Sequence, residues 1–243
     1  MKRIFIGIAA ILIIIAAAFF IYTGTYYHAA QEVGAFTVSD EFIEVEERDG
    51  NLVFYPAGEN PETALVFYPG GKVEYTAYAP LMRYIAQEGY TCILVQMPFN
   101  LAVFDINAAE SVMEEFPEIE DWYLGGHSLG GAMAASFVAD QSGEIDGLFL
   151  LAAYSTVDLS GIDLDVLSIY GSEDGVLDME KYGEYLSNLP KDASEEVVLD
   201  GGNHAQFGLY GEQKGDKTAE ISAEIQQRKT AAVIVEWIEG TDE

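Results

Sequence analysis

The sequence predicts an α/β fold: a mostly parallel central sheet with helices on both faces, preceded by one transmembrane helix. Three observations carry that expectation. Residues 4–22 are almost uninterruptedly apolar, short apolar runs alternate with helix-like segments through the rest of the chain, and a Gly-x-Ser-x-Gly turn joins one such run to a helix.

The apolar stretch follows Lys2-Arg3. At about 1.5 Å per residue it makes roughly 28 Å of helix, close to the hydrocarbon thickness of a bilayer. A cleaved secretory signal and an uncleaved signal anchor both begin this way. The length of the apolar core, and the poor small-x-small site in Thr23-Gly24-Thr25-Tyr26-Tyr27, favour the anchor. With the basic pair on its amino-terminal side, the positive-inside rule puts everything beyond Tyr22 on the extracytoplasmic face of the cell membrane. Tyr22, Tyr26 and Tyr27 are then expected at the lipid–water boundary. The chain divides into an anchor over 1–22, a short stalk over 23–40 and one domain over 41–243.

In that domain, residues 42–47 and 52–55 flank Asp49-Gly50-Asn51 and read as a β-hairpin. Residues 64–68, 91–96, 122–124, 148–151, 166–170 and 196–199 are rich in β-branched and aromatic types, as strands buried on both faces require. Helix-like segments cover 77–87, 108–115, 129–140, 179–187 and 218–238. Chemistry in such sheets collects at the carboxyl ends of the strands.

Composition narrows the function. With 41 acidic against 11 basic residues, a net charge of -30, the surface repels phosphate backbones and nucleic acid is excluded as a partner. The one cysteine, Cys92, lies in an apolar run, so no intramolecular disulfide exists and the thiol is expected to pack as a small hydrophobe. No dinucleotide fingerprint, phosphate-cradling Lys-Ser/Thr loop or zinc-like histidine cluster is present, so no cofactor or metal is expected.

The chemistry-bearing segment is Trp122-Tyr123-Leu124-Gly125-Gly126-His127-Ser128-Leu129-Gly130-Gly131. A serine on a strained strand-to-helix turn needs small neighbours, and a helix full of small residues can press closely on the sheet. Ser128 is the candidate nucleophile. On Gly126-His127-Ser128-Leu129-Gly130 and the order of the residues below, the chain resembles the α/β-hydrolase family over about 200 residues. It looks closest to small capless members of the dienelactone-hydrolase-like and carboxylesterase-like kind, although dienelactone hydrolases carry a cysteine where Ser128 stands. The resemblance implies the α/β-hydrolase fold and a Ser-His-Asp triad.

A serine hydroxyl needs a base. Of three histidines, His28 is in the expected stalk and His127 adjoins the serine, too close to turn its ring onto it. His204, after the last expected strand, is left. The resemblance puts the acid in the loop Gly171-Ser172-Glu173-Asp174-Gly175-Val176, with Asp174 preferred, Glu173 second, and Asp200 read as a turn residue. It also implies an oxyanion hole from the Leu129 amide and one from Pro69-Gly70-Gly71-Lys72. A His-Gly pair is usual there, and its replacement leaves Gly71 and Lys72 both open, with Gly71 preferred.

Only residues 152–165 separate two expected strands where larger relatives insert a cap. The substrate site is therefore expected to be open and shallow, with Tyr75, Met97, Phe99 and Tyr154 lining it and small or short-acyl esters preferred over long-chain lipids. A carboxylic-ester hydrolase is the leading expectation. An acyltransferase or peptidase using the same triad, and a non-catalytic tethered binding protein, are the alternatives.

Overall fold

The computed structural model describes residues 2–58 and 61–241, with the side chains of residues 2–4 and 6 outside the description. Helix α1 spans Lys2–Gly24 and stands almost free, with apolar side chains such as Ile11 and Ile13 turned outward. Its most apolar window, Gly7–Gly24, has a mean hydropathy of 2.4. By length and composition the helix could cross a bilayer, as could a signal sequence.

The body is built on one eight-stranded sheet. Strands β1 (Ile43–Arg48) and β2 (Asn51–Pro56) form the expected hairpin, turning through Asp49 and Gly50 at φ 47° and 87°. Two successive positive φ values match the right-handed twist of the strands, and the Asp-Gly pair tolerates them. Strands β3 (Thr63–Tyr68), β4 (Thr91–Leu94), β5 (Asp121–His127), β6 (Gly147–Leu151), β7 (Asp165–Gly171) and β8 (Ser194–Leu199) complete the sheet. The order is β1-β2-β4-β3-β5-β6-β7-β8, parallel from β4 onward.

Alternation along the strands makes two cores. Leu65, Phe67, Cys92, Tyr123 and Phe149 point to one face, where α2 (Ala79–Ala86) and α6 (Ala223–Thr241) cover them. Val66, Tyr68, Ile93, Leu124 and Leu148 point to the other, against α3 (Ala108–Glu115) and α4 (Leu129–Gln141). Helix α5 (Met179–Tyr185) sets Tyr182 on Ser168, hydroxyl to hydroxyl at 2.9 Å. Cys92 is fully buried in the first core.

Three expectations change. Strand β8 is exposed over most of its length rather than buried on both faces, because it is a sheet edge. Its Glu195 and Glu196, like Glu44 and Glu46 on the opposite edge, keep an open ladder from pairing with another chain. Helix α6 begins five residues later than read, since residues 218–222 are spent bracing the loop after β8.

The third change concerns residues 23–40, which pack on the domain instead of forming a free stalk. Tyr27 pairs with Val73 in a parallel bridge, its amide donating to the Lys72 carbonyl at 2.7 Å and its carbonyl accepting from Glu74 at 2.8 Å. Val33 in the short 3-10 turn Gln31–Ala35 is buried. Arg83, nearly buried on α2, pairs with Asp40 and donates to the Val38 carbonyl at 2.8 Å. Arg83→Met should therefore strand the Val38 carbonyl and the Phe36 carbonyl, which Arg83 also reaches at 3.4 Å, and lower stability by about 2 kcal/mol, opening residues 28–40 to protease first. Chemical unfolding in detergent with limited proteolysis checks this.

Candidate active site

Strand β5 delivers Ser128 to the carboxyl edge of the sheet with φ 52° and ψ -119°, and α4 starts at the next residue. A non-glycine residue in this region carries about 1–3 kcal/mol of strain, so the surroundings must hold it. The Ser128 amide donates to the Leu151 carbonyl at 2.9 Å, and its carbonyl accepts from Ala132 at 3.1 Å. The flanking glycines are steric necessities: a Cβ on Gly126 would lie 2.6 Å from the Gly130 carbonyl carbon, and one on Gly130 would collide with the Tyr68 and Pro69 carbonyls. The serine ends half-buried at the surface of the edge.

His204 sits in the loop after β8 and is 1% exposed. Its loop is clamped by Gln226 of α6, fully buried, which accepts the Asn203 amide at 3.0 Å and donates to the Asn203 carbonyl at 2.7 Å. Asp216 takes the Ala205 amide at 2.9 Å. Asp174 comes from the turn after β7: Oδ1 accepts the Val176 and Leu177 amides at 2.8 and 2.7 Å, which leaves Oδ2 directed at His204 Nδ1, 2.8 Å away. A carboxylate fixed on Nδ1 keeps the ring's proton there and leaves Nε2 as a lone-pair acceptor. Nε2 is buried and has no partner among the described residues, and it is not hydrogen-bonded to the Ser128 hydroxyl in this structure. Glu173 lies beside Ser172 instead, Asp200 is exposed, and His28 pairs at the surface with Glu74.

His127 lies beneath the turn, fully buried, its ring 4.5 Å from that of His204. Burial, with a smaller contribution from neighbouring His204, pushes its pKa well below 6.5, so it is neutral. Tyr78, whose own pKa burial raises, accepts the Gly70 amide at 3.1 Å and shares a 2.7 Å hydrogen bond with His127 Nδ1.

Tyr78 also settles which amides of the loop after β3 are free. Gly70 is bound to it, and Lys72 donates to the Asn100 carbonyl at 2.7 Å. The Gly71 amide has no acceptor among the described residues, and Gly71 lies against the Leu129 side chain. Leu129 opens α4, where amides lack intrahelical acceptors. Of the four expected lining residues, Met97 is 3% exposed in the second core, Tyr75 packs against the first, Tyr154 stacks on Tyr185 at 5.3 Å, and Phe99 is 47% exposed. No ring contact joins Tyr75, Phe99 and Tyr154 among the described residues.

Sequence reasoning passed over Tyr78 and Gln226. Tyr78 reads as an ordinary helix aromatic. Gln226 had a signal, because with Gln227 and Thr230 it puts polar groups on the α6 stripe that continues into Ala231 and Ile234.

Residues 64–228 match the model of the alpha/beta hydrolase family, and the chain belongs to that family. Solved structures of low identity share its fold. A bacterial membrane phospholipase A matches over 100% of both chains at 12% identity and a TM-score of 0.59. Esterase 2 of Thermogutta terrifontis, phosphoramylated by tabun, matches over 83% of this chain and 96% of its own at 16% identity and a TM-score of 0.57. Est1E from Butyrivibrio proteoclasticus matches over 82% of this chain and all of its own at 14% identity and a TM-score of 0.55. No curated protein matches the chain.

The depressed pKa of His127 has a definite sign for stability. The unfolded chain takes up its proton near pH 6.5 while the folded protein does not. Stability is whole above that pH and falls as pH drops through it, by at most about 1.4 kcal/mol per unit. His127→Asn, which keeps an acceptor for Tyr78, should flatten this part of the profile in unfolding titrations between about pH 7.5 and 5.

Proposed function

We propose that this hydrolase is a serine esterase that cleaves carboxylic esters through an acyl-enzyme, with Ser128 as nucleophile, His204 as general base and Asp174 as the carboxylate that orients it. One observation carries the reading: the 2.8 Å contact of Asp174 Oδ2 with His204 Nδ1, which leaves Nε2 without a partner among the described residues, at the same sheet edge as a strained, half-buried serine. In the reaction His204 Nε2 takes the Ser128 proton as Oγ adds to the ester carbonyl. The Gly71 and Leu129 amides stabilise the tetrahedral oxyanion. Collapse expels the alcohol, which carries away the proton from His204. Water, deprotonated by the same nitrogen, then releases the acid and restores the serine. The bond between Oγ and Nε2 belongs to the substrate complex, since such bonds commonly close only there.

The same reading makes α1 a retained single-pass anchor, with the domain on the extracytoplasmic side. It also makes dissolved esters with small acyl groups the better ones in water. Residues 152–164 form no helix or strand, and so no cap, to wall in a long chain.

A fluorophosphonate probe should label the purified chain and fail on Ser128→Ala. Asp174→Asn should lower kcat by about 10²- to 10⁴-fold while leaving the fold intact by circular dichroism. Labelling that survives in Ser128→Ala rejects the assignment. Among monomeric p-nitrophenyl esters, acetate and butyrate should give the highest kcat/KM.

A further inference from the structure

Helix α1 does not end at a distance from the site. Phe19 packs edge-on against Phe99 at 5.1 Å and Phe104 at 5.8 Å, and Phe20 reaches Phe99 at 6.5 Å. One turn later, Lys72 Nζ lies 4.2 Å over the Tyr22 ring and donates to Thr25 Oγ1 at 3.1 Å. The residues gripped here carry the candidate oxyanion loop. Lys72 follows Gly71, its amide is tied to the Asn100 carbonyl, and Gly71 touches Leu129 beside Ser128. The last turns of the helix and the mouth of the site are thus one contiguous piece.

The rim of that mouth is apolar and turned outward. Phe99, Val103 and Phe104 are 47%, 43% and 50% exposed. Phe99 and Asn100 both have φ 56°, an unfavourable conformation for residues with a Cβ, and the Asn100 bonds to Lys72 and Met97 hold it. The turn keeps the Phe99 ring at the surface instead of letting it fold into the second core. A neighbouring helix that crosses a bilayer fixes the height of this patch, because rings in contact with Phe19 and Phe20 lie at the same depth as they do. An acidic body would not approach an anionic surface unaided; here the helix holds it there.

We propose that Phe99, Val103 and Phe104 seat in the outer part of the bilayer around the carboxyl end of α1, so that the site takes its ester from membrane lipid. This rests on the hydrolase and anchor readings above and names their substrate class: an acyl lipid resident in the leaflet nearest the domain. A site without a cap can then act on long acyl chains, because the bilayer and not the protein keeps them out of water. The preference for short acyl groups applies to dissolved esters alone.

The test uses the full chain in phosphatidylcholine nanodiscs. Cys92 is buried, and burial raises its pKa, so a bimane thiol label goes to an introduced cysteine. Bimane on Phe104→Cys should be quenched by doxyl-labelled lipid and shielded from iodide. Bimane on Asp140→Cys, at the far end of α4, should behave oppositely. Both are made in the Ser128→Ala background, so the outcome does not depend on catalysis. The active protein should release fatty acid from the nanodisc phosphatidylcholine, and Val103→Ser/Phe104→Ser should lower that rate relative to dissolved p-nitrophenyl butyrate by about tenfold or more. A Phe104→Cys label as open to iodide as Asp140→Cys overturns the proposal. So does an enzyme that cleaves the dissolved ester but leaves the lipid intact. Loss of fluorophosphonate labelling alone would strike the esterase reading and leave the seating of the rim to the quenching result.

Discussion

The site rests on a single backbone constraint, the positive φ at Ser128. A strand must stop, reverse and start a helix within one residue, and only close approach of the α4 backbone to the β3 end makes that corner tight enough. Gly126 and Gly130 permit the approach, and the amide of Ser128 secures it to β6. From that corner follow the exposure of the hydroxyl, the position of the Leu129 amide at the head of a helix, and the burial of His127 beneath. A methyl group on Gly130 would push α4 off the Tyr68 carbonyl and undo all three.

The supporting polar groups form two separate braces. Tyr78 connects His127 to the loop after β3, and Gln226 connects the His204 loop to α6. Each uses a fully buried polar side chain with its main partners satisfied, and such groups are worth retaining only where position matters. The two histidine rings meet between the braces, so the neutral state of His127 suits the proposed mechanism: a charged neighbour would disfavour a cation on His204.

Much of this was legible in the sequence, for identifiable reasons. The strands β3 to β7 announce themselves because both faces are buried and both must be apolar; β8 was misjudged in burial because an edge strand obeys no such rule. Ser128 and His204 were singled out by a glycine pattern and by the scarcity of histidine, whereas 41 carboxylates made the choice of Asp174 depend on family resemblance, and their catalytic roles stand as proposals. Residues 23–40 could not be read correctly. Their contacts are backbone pairings with Val73 and Leu209, far away in the chain, and backbone hydrogen bonds leave no signature in side-chain chemistry. For the same reason the union of α1 with the site was invisible, although Phe19, Phe99 and Phe104 were each in plain view.

The carboxylates on the two outer strands have a further consequence under the proposed anchoring by α1. Neighbouring copies held upright by their helices in a crowded membrane would meet side by side, and there β1 and β8 present like charges to one another. Lateral encounters through those flanks are repulsive, more so as ionic strength falls.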